Sequence, residues 1–351
     1  MTMDIDTLIK GLREKDPHQT YFHQAAGGLL EGLGPFLRNH PRYADPSLFA
    51  RLFEPERVII FRVPWVDDQG QVRVNRGFRV QMNGSLGPYK GGLRFHPSVN
   101  LDVLRFLALE QTIKNALTDL PLGSGKGGAD FDPHGRSDGE IMRFCQAFMA
   151  ELFDHIGSDV DVPAGDIGVG AREIGYLFGM YRKLHRSHDS GAITGKSPVF
   201  GGSLLRTEAT GYGLVYFLQY MLQERGEALE GRRVAVSGAG NVARYAAEKV
   251  LIEGGIVISL SDSRGALHAA NGLTREHLET LDRIQAEGGR LHQLPDHHAG
   301  LTYQEGIKPW RFSCDIALPC ATQNELNEQD ARALVDNGCR WVVEGANMPT
   351  T

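Results

Sequence analysis

No apolar run in this chain approaches the ~18 consecutive residues that a membrane-spanning helix requires, so a membrane-embedded role by that route is excluded. Cysteine is scarce. The four residues Cys145, Cys314, Cys320 and Cys339 show no C-x-x-C spacing and no paired histidine pattern, which argues against a disulfide framework and a zinc site and leaves reduced structural thiols. Basic excess is also missing: 37 Lys and Arg stand against 43 Asp and Glu, for a formal net charge of -6, so a general nucleic-acid binder is not expected. The histidines form no motif. His96, His155 and His185 are scattered, and His292, His297 and His298 lie in a polar stretch, so no metal is expected. Residues 1–11 carry Asp4 and Asp6 and lack the apolar centre of a signal peptide, which makes cytoplasmic residence the expectation. No internal repeat and no low-complexity tract interrupts the chain.

Glycine, by contrast, is abundant at 43 residues, and it gathers beside lysines and near Asn241, where backbone can approach a ligand. A chain of 351 residues is long enough for two domains, each with its own core. The first part to about residue 52 reads as helices broken at Pro35, Pro41 and Pro46. Residues 58–66 and the alternating Val72, Val74, Phe78, Val80 and Met82 read as a hairpin around Asp67-Asp68-Gln69-Gly70. Asn100 can cap a helix to about residue 118, Ser137-Asp138-Gly139-Glu140 is a capping box, and residues 171–184 form a third helix. The polar segment 187–196 connects two domains, 1–196 and 197–351. Beyond it, short buried strands at 234–237, 256–260, 314–318 and 341–343 alternate with helices, the rhythm of a parallel sheet with right-handed crossovers.

Gly238-x-Gly240-x-x-Ala243 follows the first of those strands and opens a helix. The first glycine permits the tight turn, the second admits a pyrophosphate, and Ala243 keeps helix and strand close; Asn241 and Val242 supply the first helical amides. Asp262 ends the next strand about 20 residues on, the position of a ribose-binding acid. That acid favours NAD, whereas the following Ser263 and Arg264 could hold the 2′-phosphate of NADP, so the two cofactors stay open. Gly195-Lys196-Ser197 imitates the end of a P-loop, but Ser190 stands where that motif needs its first glycine.

Two lysines sit in glycine-flanked stretches expected to be loops, Lys90 before Gly91-Gly92 and Lys126 between Gly125 and Gly127. Two readings of Lys126 stand side by side: a solvated loop lysine, or a desolvated amine with a lowered pKa that serves as a base. Lys90 has the same ambiguity. Lys114 has Glu110 four residues before it as a surface partner, yet shares a helix face with Gln111, and those two could hold a carboxylate. Asp166, among small and apolar neighbours, is either a loop cap or a proton-transfer group.

Read together, residues 87–96 (Gly-Pro-Tyr-Lys-Gly-Gly-Leu-Arg-Phe-His), 110–117 (Glu-Gln-Thr-Ile-Lys-Asn-Ala-Leu), Gly125-Lys126-Gly127-Gly128, 161–168, Gly201-Gly202-Ser203-Leu204, 208–213, the glycine fingerprint and 318–325 resemble the hexameric glutamate dehydrogenases, most closely the bacterial NADP-specific type. The resemblance spans essentially the whole chain. It implies an α/β fold: an N-terminal α/β substrate and oligomerisation domain, then a Rossmann-like dinucleotide-binding domain. It implies reversible oxidative deamination of L-glutamate to 2-oxoglutarate and ammonia with a nicotinamide cofactor, NADP before NAD, in a homohexamer. Small molecules (glutamate, 2-oxoglutarate and ammonium) are then the partners. By position, Lys90 matches the lysine at the distal carboxylate, and Gln111 and Lys114 the pair at the α-carboxylate. Lys126 matches the catalytic lysine, Asp166 the group that exchanges protons with the amine, and Gly165 offers its carbonyl to that amine. Thr210 and Asn241 match contacts to the nicotinamide cofactor.

Two departures stand out. Ser124 interrupts a run that is often three glycines in the family. The chain also ends at Thr351, inside the second domain by the family pattern, so that domain is expected to be incomplete. That ending motivates a second expectation, a truncated and catalytically silent subunit of such an oligomer. A third, a dehydrogenase for apolar amino acids, is opposed by the cation at Lys90.

Overall fold

The computed structural model describes residues 5–186, 188–204 and 207–351; Ser187, at the start of the expected connecting segment, lies outside the described residues. The chain divides into two compact units, Met1–Leu204 and Leu205–Thr351.

Unit 1 opens with helices α1 (Ile5–Lys15), α2 (Thr20–Asn39) and α3 (Pro46–Phe53). Pro35 does not break α2 as expected but lies inside it. A helix-interior proline forfeits one backbone hydrogen bond, and α2 retains enough packing to continue, with Phe22, Ala26, Leu30 and Leu37 buried. The long hairpin β1 (Arg57–Val66) and β2 (Val72–Asn83) follows, then β3 (Tyr89–Phe95), α4 (Leu101–Ala116), β4 (Ser124–Ala129), α5 (Asp138–Leu152), β5 (Asp161–Gly165) and α6 (Ala171–His185). The caps read from sequence are present: Asn100 Oδ1 accepts from Val103 N, and Ser137 and Glu140 close a capping box, each cap contributing about 1 kcal/mol.

The five strands run in the order β1-β2-β4-β3-β5. The hairpin is antiparallel, β2 pairs antiparallel with β4, and β3 lies parallel between β4 and β5. The expectation of loops around Lys90 and Lys126 is therefore corrected: both lysines stand on strands, in β3 and β4. Glycine-rich strands are poor on propensity alone. Here they are held by neighbours on both sides, and the whole of β4 is buried. One face of the sheet is sealed by aromatic packing; Phe131 and Phe144 stack at 3.8 Å between centroids, and Phe95 meets Phe144 edge-on at 5.1 Å. Residues 188–196 fold into this unit, since Ala192 and Ile193 are fully buried in the same core.

Unit 2 contains α7 (Ala209–Gln223), β6 (Arg233–Val236), α8 (Asn241–Ile252), β7 (Ile256–Ser261), β8 (Gly265–Ala269), α9 (Arg275–Ala286), β9 (Leu301–Glu305), β10 (Ile316–Leu318), α10 (Glu328–Asp336) and β11 (Trp341–Val342). Its sheet order is β11-β10-β6-β7-β8-β9. The expected parallel arrangement holds for β11, β10, β6 and β7, whereas β8 and β9 extend the sheet antiparallel. Neither of these two strands was read from sequence. They are short, Leu301–Glu305 is largely exposed, and neither has the continuous apolar run of a buried strand. Among the described residues no helix is long and apolar enough to cross a membrane.

Candidate functional site

Two groups of residues carry chemistry, one in each unit. In unit 1 the register places Leu93 of β3 beside Gly127 of β4 and Gly165 of β5. One step back, Gly92 therefore lies between Lys126 and Ala164. Strand alternation then puts Lys90, Gly92 and Arg94 on one face, with Lys126 on one side and Asp166 just beyond the end of β5 on the other. Gly92 has no side chain for a steric reason: a Cβ there would lie 2.9 Å from Asp166 Cβ and 3.4 Å from Lys126 Nζ. The residue leaves a notch between two charged groups.

Lys126 Nζ lies 3.0 Å from Asp166 Oδ2, and Arg94 Nε donates to the same oxygen at 2.9 Å. The side chains of Lys126 and Arg94 are almost fully buried, and that of Asp166 keeps 20% of its exposure. Burial pushes the Lys126 amine below its usual pKa; Arg94 and Lys114 push the same way, while Asp166 pulls against them. Burial alone would raise Asp166, but the two cations outweigh it and hold the carboxyl well below the ordinary carboxylate range. The result is an ionised acid beside a lysine that loses its proton unusually easily. A solvated loop lysine is thereby ruled out for Lys126.

Lys90 Nζ donates to Thr194 Oγ1 at 2.9 Å, and Thr194 is tied to β5 through its N–H to the Pro163 carbonyl, 2.9 Å. From α4, Gln111 Nε2 donates to Asn115 Oδ1 at 2.7 Å, and Asn115 Nδ2 donates to the carbonyls of Gly123 (2.6 Å) and Lys90 (3.3 Å). Lys114 is exposed on the same helix and is close enough for its charge to act on Lys126. Ser124, the interruption in the glycine run, is fully buried and shares a 2.6 Å hydrogen bond with Thr112 of α4, so the extra hydroxyl pins helix to strand.

Behind this face lies a second buried charge pair. Arg79 and Asp161, both without exposure, meet through Arg79 Nε to Asp161 Oδ2 at 2.8 Å and a second contact from Arg79 Nη2 to Asp161 Oδ1. Arg79 also donates to the Gly91 carbonyl at 3.2 Å, and Gln81 Nε2 donates to Asp161 at 3.1 Å. These bonds fix the backbone of β3 under the lysines.

In unit 2 the strand β6 leads through Ser237 to Gly238, whose φ of +85° suits glycine and whose Cβ would crowd the Cys320 carbonyl at 3.2 Å and the Ala243 methyl at 3.3 Å. The turn is braced by Gly238 N donating to Ser261 Oγ at 2.9 Å and by Gln285 Nε2 donating to the Ala239 carbonyl at 2.8 Å. Gly240, exposed at the N-cap of α8, faces open space. Next to it Asn241 Nδ2 donates to the Thr207 carbonyl at 2.7 Å, Val242 is half-buried and Thr210 is exposed in the first turn of α7. The open approach and the free amides at the start of α8 fit a pyrophosphate. Asp262, the residue after β7, organises the turn that follows. Its Oδ1 accepts from Tyr303 Oη (2.6 Å), Arg264 N (2.9 Å) and Gly265 N (3.2 Å), building the β7–β8 turn and leaving Ser263 and Arg264 exposed.

Within unit 1 the structure thus assembles Lys90, Gln111, Lys126, Gly165 and Asp166 around one sheet face, and within unit 2 it assembles Gly238, Gly240, Asn241 and Val242 around one turn. Sequence reasoning missed Arg94, Thr194, Asn115 and the Arg79–Asp161 pair. Arg94 was legible in principle: once Lys90 is placed on a strand, Arg94 shares its face by alternation. Thr194 lies 104 residues from its lysine and had no local signal.

Comparisons with known proteins bear on the family of this chain. Residues 55–183 match the family described as "Glu/Leu/Phe/Val dehydrogenase, dimerisation domain", and residues 201–351 match "Glutamate/Leucine/Phenylalanine/Valine dehydrogenase". The chain is 57% identical over 351 residues to an NADP-specific glutamate dehydrogenase of Salmonella typhimurium, covering all of this chain and 78% of that relative. Its fold superposes on Plasmodium falciparum glutamate dehydrogenase with a TM-score of 0.93 at 50% identity, over 99% of this chain and 74% of the other. It superposes on a hetero-hexameric glutamate dehydrogenase of Thermus thermophilus with a TM-score of 0.79 at 30% identity, over 92% and 75%. With both halves of the chain matched and such relatives along its full length, this protein belongs to the Glu/Leu/Phe/Val dehydrogenase family.

Proposed function

We propose that this protein is an NADP-dependent glutamate dehydrogenase, interconverting L-glutamate with 2-oxoglutarate and ammonia. The observation that carries the reading is the buried Lys126–Asp166 pair, 3.0 Å apart, with Lys90 on the same sheet face. Relatives named NADP-specific glutamate dehydrogenase support it along the whole chain.

In this reading Lys90 and Thr194 bind the distal carboxylate, and Gln111 and Lys114 the α-carboxylate. The Gly165 carbonyl accepts from the substrate amine. Asp166, ionised through the neutral range, accepts a proton from the substrate ammonium. Lys126, with its lowered pKa, takes the proton of a water that attacks Cα once the amine carbon is oxidised. NADP, when bound at Gly238, Gly240, Asn241 and Val242 with Thr210 beside them, supplies the two-electron acceptor. The exposed Ser263 and Arg264 suit a 2′-phosphate, which supports NADP over NAD. A homohexamer in the cytoplasm is the assembly and setting we infer, supported by the hetero-hexameric neighbour and by four free cysteines.

The test is the rate of NADPH oxidation by the purified chain with 2-oxoglutarate and ammonium. Turnover is expected, and its absence from correctly assembled protein overturns the reading. Replacing Lys90 by Leu removes a charged hydrogen bond of about 1.5–3 kcal/mol, so kcat/KM for glutamate should fall about 10- to 150-fold. An unchanged value would point instead to a site for apolar amino acids.

A further inference from the structure

We propose that Arg94 is a positioning residue for the reaction: it fixes the rotation of the Asp166 carboxylate so that one oxygen is held by two cations and the other is presented to the substrate amine. This rests on the glutamate dehydrogenase reading for its chemistry, though not for its geometry.

Both ion pairs converge on one atom. Arg94 Nε and Lys126 Nζ lie 2.9 and 3.0 Å from the same carboxylate oxygen, Asp166 Oδ2. A carboxylate held by one donor can turn about its Cβ–Cγ bond and exchange its oxygens at little cost. Two donors on the same oxygen, from β3 and from β4, remove that freedom. The Asp166 backbone is fixed as well, because Val169 N donates to its carbonyl at 2.9 Å. Gly92 lies between Arg94 and Lys90 on the strand, so no side chain stands between the guanidinium side of the carboxylate and the notch.

A purely structural role explains the arrangement less well. Burying a second cation against an acid that already has a partner leaves an excess positive charge in a desolvated place, which is costly for stability. The gain lies in the chemistry. The charged groups facing Lys126 are Asp166, Arg94 on β3 and Lys114 on α4. Arg94 repels the protonated amine and shares its counter-ion, so it favours the neutral amine needed as a base.

The experiment compares the full chain with Arg94→Gln and Arg94→Lys. The first readout is the pH dependence of Lys126 modification by trinitrobenzenesulfonate, followed by peptide mapping, which needs no turnover. In Arg94→Gln the midpoint should move to higher pH, because the repelling cation is gone and Asp166 serves Lys126 alone. In Arg94→Lys, which keeps the charge, it should stay near the wild-type midpoint. The second readout is steady-state kinetics: kcat of Arg94→Gln should fall about tenfold or more with KM for glutamate within about threefold, its acid limb shifted to higher pH. Arg94→Lys should recover part of kcat but not all, since an ammonium lacks the directed Nε–H. If Arg94→Gln does not fold, Arg94→Lys decides. An unmoved midpoint in Arg94→Gln overturns the proposal, and so does full activity in Arg94→Lys. Should the wild-type chain show no glutamate turnover, the functional reading fails, and the labelling midpoints alone judge the role of Arg94.

Discussion

The lysine face of unit 1 and the glycine turn of unit 2 are built from opposite materials. In unit 1 the working groups are side chains: one acid and two buried cations within 3.0 Å of a single oxygen, resting on a second buried pair. In unit 2 the turn offers backbone N–H groups at the start of α8 and an absence of side-chain atoms at Gly240. Buried charges make a site whose strength depends on protonation and which is costly to disturb. Amides have no pKa in the working range, so the turn's hold on a pyrophosphate should vary little between about pH 6 and 9. On the proposed reading, chemistry and its pH sensitivity are expected from unit 1, and cofactor affinity from unit 2.

The sharpest break of that contrast is expected at Lys126. Lys126→Met should lower kcat by about 10²–10⁴-fold while leaving NADPH affinity, measured by fluorescence titration, close to wild type. An equal loss of cofactor affinity would show that the two sites are not separable. Next in size is Arg79→Met. It leaves Asp161 buried and unpaired, and should cost about 3–5 kcal/mol of stability in denaturant unfolding. The double replacement Arg79→Met with Asp161→Leu should recover part of that loss, since the stranded charge is removed. Smallest is the pair Gly238→Ala and Gly240→Ala. Gly238→Ala forces a methyl into positive φ and against the Cys320 carbonyl, for about 1–2 kcal/mol of stability. Gly240→Ala meets open space and should leave unfolding unchanged, while raising KM for NADPH by narrowing the approach of the pyrophosphate. If both alanines altered stability alone, the turn would be a structural feature without a ligand.

Much of this was legible locally. The caps at Asn100 and Ser137, the hairpin, and the strand–glycine–helix order at Gly238 all follow from short-range signals, because each rests on hydrogen bonds or periodicity spanning a few residues. The glycine-rich strands defeated the same reasoning. Propensity reads Gly125-Lys126-Gly127-Gly128 as a loop, and only pairing with β2 and β3 makes it a strand. Asp262 kept its predicted place but gained a role in the turn that depends on Tyr303, 41 residues away.

What the sequence by itself determined is the inventory: which cations, which acid and which glycines exist, the helices that carry some of them, and the order of strand and helix around the fingerprint. What tertiary structure alone decided is who meets whom. Arg94 joins Lys126 on one oxygen of Asp166, and Thr194 reaches Lys90 across 104 residues. The reason is physical: capping and periodicity act over a turn or two of chain, whereas a buried charge finds its partner only after strands distant in sequence have been brought into register and water has been excluded from between them.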